Sequence, residues 1–179
     1  MVRLAGGGIG VAVALAIEAC GSSKSASTLS TTTASTPGPD ASILNNALDL
    51  EHMAIAAYTA AAPLLPGTAQ LAAQRFLAQE LAHAGELAGL VKQAGGKPIK
   101  PRSSYDLGNP QSTEDVLTLL GRIEEAQLAA YAQAIPLLSL PSSRAAVAAI
   151  FANDAQHASV IALALGRNPV PSAFVRPGK

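Results

Sequence analysis

Three observations predict an all-α chain folded as an antiparallel four-helix bundle with one long crossover between its second and third helices. Strand patterns that alternate Val, Ile, Thr and Tyr are essentially absent, whereas alanine-rich stretches recur at helical period. Residues 50–65, LEHMAIAAYTAAAPLL, return at 123–138 as IEEAQLAAYAQAIPLL. In both copies a Glu is followed seven residues later by a Tyr and twelve later by a Pro. Behind each copy comes acid-x-x-His, first Glu80-Leu-Ala-His83 and then Asp154-Ala-Gln-His157, so the pattern repeats at an offset of 73 to 74 residues.

Four helices follow in order. The first is predicted over about 42–65, with Leu44, Leu48, Glu51, Ile55, Tyr58, Ala62 and Leu65 on one face; Pro63 kinks or ends it. The second runs over about 69–93, with Phe76, Glu80, His83, Leu87 and Leu90 on its face, and Gly95-Gly96 stops it. The third begins near Ser112-Thr-Glu-Asp, where Ser112 or Thr113 caps and the acids suit the positive helix end. Its face is Leu117, Leu120, Glu124, Leu128, Tyr131, Ile135 and Leu138. The fourth covers about 142–165, with Val147, Ile150, Asp154, His157, Ile161 and Leu165 inward. Short links make hairpins of helices one and two and of helices three and four. The link at 95–112 is long enough to cross the whole bundle, because 18 extended residues reach up to about 60 Å.

Composition narrows the function classes. With 179 residues, 49% hydrophobic and 13% charged, the chain can bury one real core. Lys plus Arg equal Asp plus Glu at 12 each, without a basic cluster, which argues against a nucleic-acid partner or a polybasic membrane patch. A single cysteine, Cys20, excludes an intramolecular disulfide and a thiolate metal cluster.

The organisation read from the sequence is a signal peptide at 1–19, a tether at 20–40 and the bundle at 41–179. Arg3 precedes an apolar run over 4–17, shorter than the roughly 20 residues a membrane span needs. The run ends at Ile17-Glu18-Ala19-Cys20-Gly21, which resembles a bacterial lipobox with Cys20 as the acylated residue, Glu18 being a departure. Residues 21–40 hold eleven Ser or Thr and read as a flexible tether. The expected place is the cell envelope, on the outer side of the cytoplasmic membrane, with the lipid anchor at Cys20 as the membrane contact.

Six ionisable residues fall on the apolar faces near mid-helix: Glu51, Glu80, His83, Glu124, Asp154 and His157. Residues three apart on a helix are neighbours, so acid-x-x-His aims both groups at one target. Four carboxylates offset two divalent cations while the imidazoles stay neutral; without cations such a cluster is costly to bury. Oxygen ligands with two imidazoles favour iron, with manganese second. Either Glu80 with Asp154 or Glu51 with Glu124 would bridge the two ions. Tyr58 and Tyr131, on the same faces, are candidates for hydrogen bonding a ligand carboxylate, for electron donation, or for core packing. His52, Glu125, Asp49 and Glu86 are expected to face solvent.

These residues carry a resemblance. Leu50-Glu51 with Tyr58, Glu80-Leu-Ala-His83, Gly96-Lys-Pro-Ile-Lys-Pro, Tyr105-Asp-Leu-Gly108, Glu124 with Tyr131, Asp154-Ala-Gln-His157 and Pro169-Val-Pro-Ser-Ala-Phe174 resemble the bacterial ferritin-like domain family over about 41–176. The resemblance implies a ferritin-like bundle and metal ligands at Glu51, Glu80, His83, Glu124, His157 and, by substitution, Asp154. The function expected on that basis is Fe(II) oxidation by a small oxidant, O2 or H2O2, in envelope stress protection, with a homo-oligomer compatible. The alternative is a non-catalytic envelope stress or interaction protein on a degenerate scaffold of the same shape.

Overall fold

Prolines and glycines set the lengths of the rods. The computed structural model describes residues 38–174: α1 spans Pro39–Ala61, α2 Gly67–Gln93, α3 Thr113–Ala134 and α4 Pro141–Ala164, with no strand among the described residues. The predicted signal peptide, Cys20 and the tether as far as residue 37 lie outside the described residues. Pro63 and Pro136, equivalent in the repeat, sit in 3-10 turns at Ala62–Leu64 and Ile135–Leu137. A proline has no N–H and clashes with the carbonyl four residues back, so α1 stops at Ala61 rather than running to 65. The helix also begins earlier than its periodicity predicts, because Pro39 suits the first helical position and Asp40 the first turn. Asp40 is buried, and its carboxylate accepts from the Ser139 amide at 2.8 Å and the Leu140 amide at 3.0 Å. That carboxylate ties the start of α1 to the start of α4.

At the other end of α2, Gly95 takes φ 76° and the Gly96 amide returns to the Val91 carbonyl at 2.9 Å, closing the helix. A Cβ on Gly96 would lie 2.7 Å from that of Ala41, so only glycine lets the end of α2 approach the start of α1. The crossover then follows α1. Asn45 binds it twice, donating to the Lys97 carbonyl at 3.0 Å and accepting from the Ile99 amide at 3.0 Å. One turn on, Arg102 pairs with Asp49, its Nε at 3.1 Å. The chain enters α3 through a capping box, with Ser112 Oγ accepting from the Asp115 amide and Asp115 Oδ2 accepting from the Ser112 amide.

Two apolar clusters result, one toward each end. The first joins Ala54, Tyr58, Phe76, Leu117, Leu120 and Ile161; the second joins Leu44, Leu48, Leu87, Leu90, Tyr131, Val147 and Ile150. The late part of α1 thus meets the early part of α3, and the crossover spans the bundle as predicted. By length and composition α4 could cross a membrane, yet it packs in the bundle with Asp154 and His157 at 0% exposure on its inner stripe.

Asp40→Ala removes both hydrogen bonds to the start of α4. It is expected to lower the unfolding free energy by about 1–3 kcal/mol, read as a lower urea midpoint at unchanged slope. An unshifted midpoint would show that the tie contributes nothing.

Candidate metal centre

Between the two apolar clusters lies a polar layer, and every helix contributes to it. Glu51 comes from α1, Glu80 and His83 from α2, Glu124 from α3, and Asp154 and His157 from α4. All are fully buried except His83, whose side chain is 12% exposed. The structure therefore brings all six sequence-predicted ligand candidates together.

The distances divide them into two overlapping groups. His157 Nδ1 stands 3.0 Å from Glu80 Oε1, 3.3 Å from Glu124 Oε1 and 3.9 Å from Asp154 Oδ1. His83 Nδ1 stands 3.4 Å from Asp154 Oδ1, 3.7 Å from Glu51 Oε2 and 3.8 Å from Glu80 Oε2. Glu80 thus offers one oxygen to each imidazole, and Asp154 faces both. Glu51 and Glu124 each belong to one side. The central pair of carboxylates is Glu80 with Asp154.

Hydrogen bonding leaves a particular set of atoms unused. Tyr58 donates to Glu124 Oε1 and Tyr131 donates to Glu51 Oε1, each tyrosine reaching the glutamate of the other repeat. Gln127 Nε2 donates to Glu80 Oε2 at 3.1 Å, and His157 Nε2 lies 2.8 Å from Gln79 Oε1. Phe76 stacks on His157 with ring centroids 4.0 Å apart. Glu51 Oε2, Glu80 Oε1, His83 Nδ1, Glu124 Oε2, both Asp154 oxygens and His157 Nδ1 are buried without a hydrogen bond, even where two of them approach to 3.0 Å. Buried polar atoms left unpaired cost about 1–3 kcal/mol each and are rare in native proteins. Here seven atoms of ligand type converge without a hydrogen bond; five of them meet only as imidazole–carboxylate contacts of 3.0–3.7 Å, and Glu124 Oε2 and Asp154 Oδ2 lack even that. Two sets, Glu80–Glu124–Asp154–His157 and Glu51–His83–Asp154, each present ligand atoms within 4.8 Å of one another. The donor set fits hard divalent cations.

Gln79 and Gln127 were not among the sequence candidates. Gln127 follows Glu124 by three residues, the spacing that joins Glu80 to His83, and that was the available signal. Gln79 adjoins Glu80 and offered none. His52 departs from expectation. Its ring is half-buried, Nδ1 lacks a partner, and burial lowers its pKa, because the crossover around Arg102 and Tyr105 covers that side of α1. Glu86 and Glu125 are exposed as expected, while Asp49 is held by Arg102.

Without cations, protons supply the compensation. Burial first, then the charges of Glu80 and Glu51, pushes Asp154 up to about 9; burial, then Glu80, pushes Glu51 up to about 8. Glu124 is raised too, chiefly by burial. Burial would also raise Glu80, but His157 and His83 beside it hold it well below the usual carboxylate range. Burial would lower the imidazoles, yet Glu51 and Glu80 lift His83 to about 10, and Glu124 and Glu80 lift His157 to about 9. Burial and the adjacent glutamates raise both tyrosines well above their ordinary value, so they remain donors.

A ferritin-like domain model matches residues 39–167. Among solved structures, a conserved hypothetical protein of Mycobacterium tuberculosis superposes with TM-score 0.68 at 21% identity, over 75% of this chain and 96% of that one. A ferritin-like, diiron-carboxylate protein of Bacillus anthracis strain Ames gives 0.64 at 19%, over 70% and 94%. A Dps mutant from Listeria innocua gives 0.63 at 16%, over 73% and 97%. These likenesses show the fold. No curated protein matches the chain.

The raised groups bind protons in the folded state that the unfolded chain, with values of 3.8, 4.5 and 6.5 for Asp, Glu and His, has already released. The metal-free fold therefore loses stability as pH climbs from those values through about 8 to 10. Glu80 acts in the opposite sense only below its ordinary value. Chelator-treated protein should melt at steadily lower temperature from about pH 5 to pH 9, a slope that added divalent metal flattens by replacing the protons. A melting temperature that rises with pH would contradict this electrostatic reading.

Proposed function

The chain belongs to the ferritin-like domain family, and from that premise we propose that its six-residue cluster holds two divalent metal ions, iron first and manganese second, and catalyses Fe(II) oxidation. Glu80 and Asp154 would serve both ions, Glu51 with His83 completing one side and Glu124 with His157 the other. When bound, such a pair supplies electrons to O2 or peroxide in a pocket shielded from bulk water. With H2O2 the balance is two Fe(II) and two protons consumed per peroxide, giving two Fe(III) and two waters. The observation that supports the reading best is the convergence on one layer of seven ligand atoms that no hydrogen bond satisfies.

The surrounding residues have definable tasks. Tyr58 and Tyr131 fix one oxygen of Glu124 and of Glu51, leaving the other free to ligate. Gln79, by accepting from Nε2–H of His157, leaves Nδ1 as the ligating lone pair, the role that outer partners of metal-bound imidazoles fill. The tyrosines also lie where an electron could pass to an oxidised centre. The protein would act at the outer side of the cytoplasmic membrane, anchored through acylated Cys20, guarding the envelope against peroxide.

Purified protein should take up about two metal ions per chain, and the Glu80→Ala, His157→Ala double variant none; equal contents by elemental analysis would refute the reading. Uptake at neutral pH should release more than one proton per metal ion, read with an indicator dye in weak buffer, since the ions displace protons from raised groups. Wild type should consume two Fe(II) per peroxide, with the double variant reduced to the uncatalysed rate. Matching rates would leave metal binding without the proposed catalysis.

A further inference from the structure

Beside the polar cluster lies a cavity lined by none of the six clustered residues. On its inner side α2 begins with small residues: Thr68, Ala69, Ala72 and Ala73. At the equivalent place in the second repeat, 74 residues on, Val147 stands where the first has Ala73, and Val147 is fully buried in the other apolar cluster. Against these small residues lies a cavity of about 430 Å³, bounded by the end of α1, the start of α2, the start of α3 and the end of α4. That lies within the roughly 300–1,000 Å³ of small-molecule sites.

Its lining is specific in kind. No Asp, Glu, Lys, Arg or His lines it, and its polar side chains are Tyr58 and Thr68. The Tyr58 hydroxyl is already committed to Glu124. An ion entering would lose its hydration without gaining a partner, which costs several kcal/mol. An apolar molecule would instead cover Leu163 and Val160, which line the mouth at 64% and 44% exposure. The inner wall includes Phe76, whose ring stacks on His157, so one ring separates the cavity from the polar cluster.

We propose that this cavity binds an uncharged, largely apolar small molecule, seated against Tyr58 and Phe76 beside the carboxylate–histidine cluster. The proposal goes beyond the di-metal reading and does not require it, because the cavity's walls contain none of the six clustered residues. If both hold, an apolar guest lies one side chain from the metal pair, a position suited to a substrate or to a plug that controls access.

The test is a titration with the neutral dye N-phenyl-1-naphthylamine, followed by fluorescence. Wild type is expected to bind about one dye per chain saturably, with or without chelator, so that loss of metal and failure of the cavity read separately. Ala72→Trp and Ala73→Leu, which fill the space, should weaken binding at least tenfold while melting at the same or higher temperature. Leu137→Ser, at an exposed leucine in the turn after α3, should leave binding unchanged. No saturable binding to wild type, or equal binding to the filled variants, would overturn the proposal. So would sedimentation showing a dimer that Ala72→Trp dissociates and that excludes the dye, because the occupant would then be a second copy of the chain.

Discussion

Four carboxylates and two imidazoles are buried at one level of an otherwise apolar bundle, and most of the structure answers that placement. Each such group gives up hydration worth several kcal/mol on entering a low-dielectric interior. Part of the loss is recovered from buried donors: Tyr58 to Glu124, Tyr131 to Glu51 and Gln127 to Glu80. The remainder falls on protons when no cation is present, which is why Asp154, Glu51 and both histidines are shifted upward together. A pair of divalent ions would replace those protons with fixed charge. The apolar clusters on either side keep water from diluting the interaction.

The internal repeat explains how the layer is held and where it is lopsided. Each tyrosine bonds the glutamate of the other repeat, so the two hairpins are stitched through the polar layer itself and not only through apolar packing. Symmetry fails at two places. His157 is sealed beneath Phe76 and beside Gln79, whereas His83 keeps 12% exposure in a shallow hollow formed with Ala82, Ala146 and Ala149. The two halves of the site therefore differ in their contact with solvent. The shorter Asp154 is nonetheless central, its Oδ1 lying within reach of both imidazoles.

Helix number, order and the crossover were legible because they rest on local rules: proline stops, glycine caps, the Ser112 capping box and apolar faces of period 3.6. The six clustered residues were legible because an ionisable group on an alanine-rich face is costly to bury, and that cost recurs at matching positions of the repeat. Less could be read of their partnerships. That Tyr58 meets Glu124 instead of a residue in its own repeat depends on how hairpins cross, which periodicity does not encode. The choice of Glu80 with Asp154 as the central pair depends on how the four helices are rotated against one another, which a helical repeat leaves open. Gln79 was hidden because a glutamine beside an acid on a helix is ordinary. The half-burial of His52 depends on where the crossover lies, and no helix pattern carries that information.

The most direct test of this account is the position of bound metal, read from anomalous diffraction of crystals grown with Mn(II). Two peaks are expected inside the bundle, one among Glu80, Glu124, Asp154 and His157, the other among Glu51, His83 and Asp154. Metal found only on the surface, or none at these six residues, would mean that protons and tyrosines alone satisfy the cluster, and the catalytic reading would fall with it.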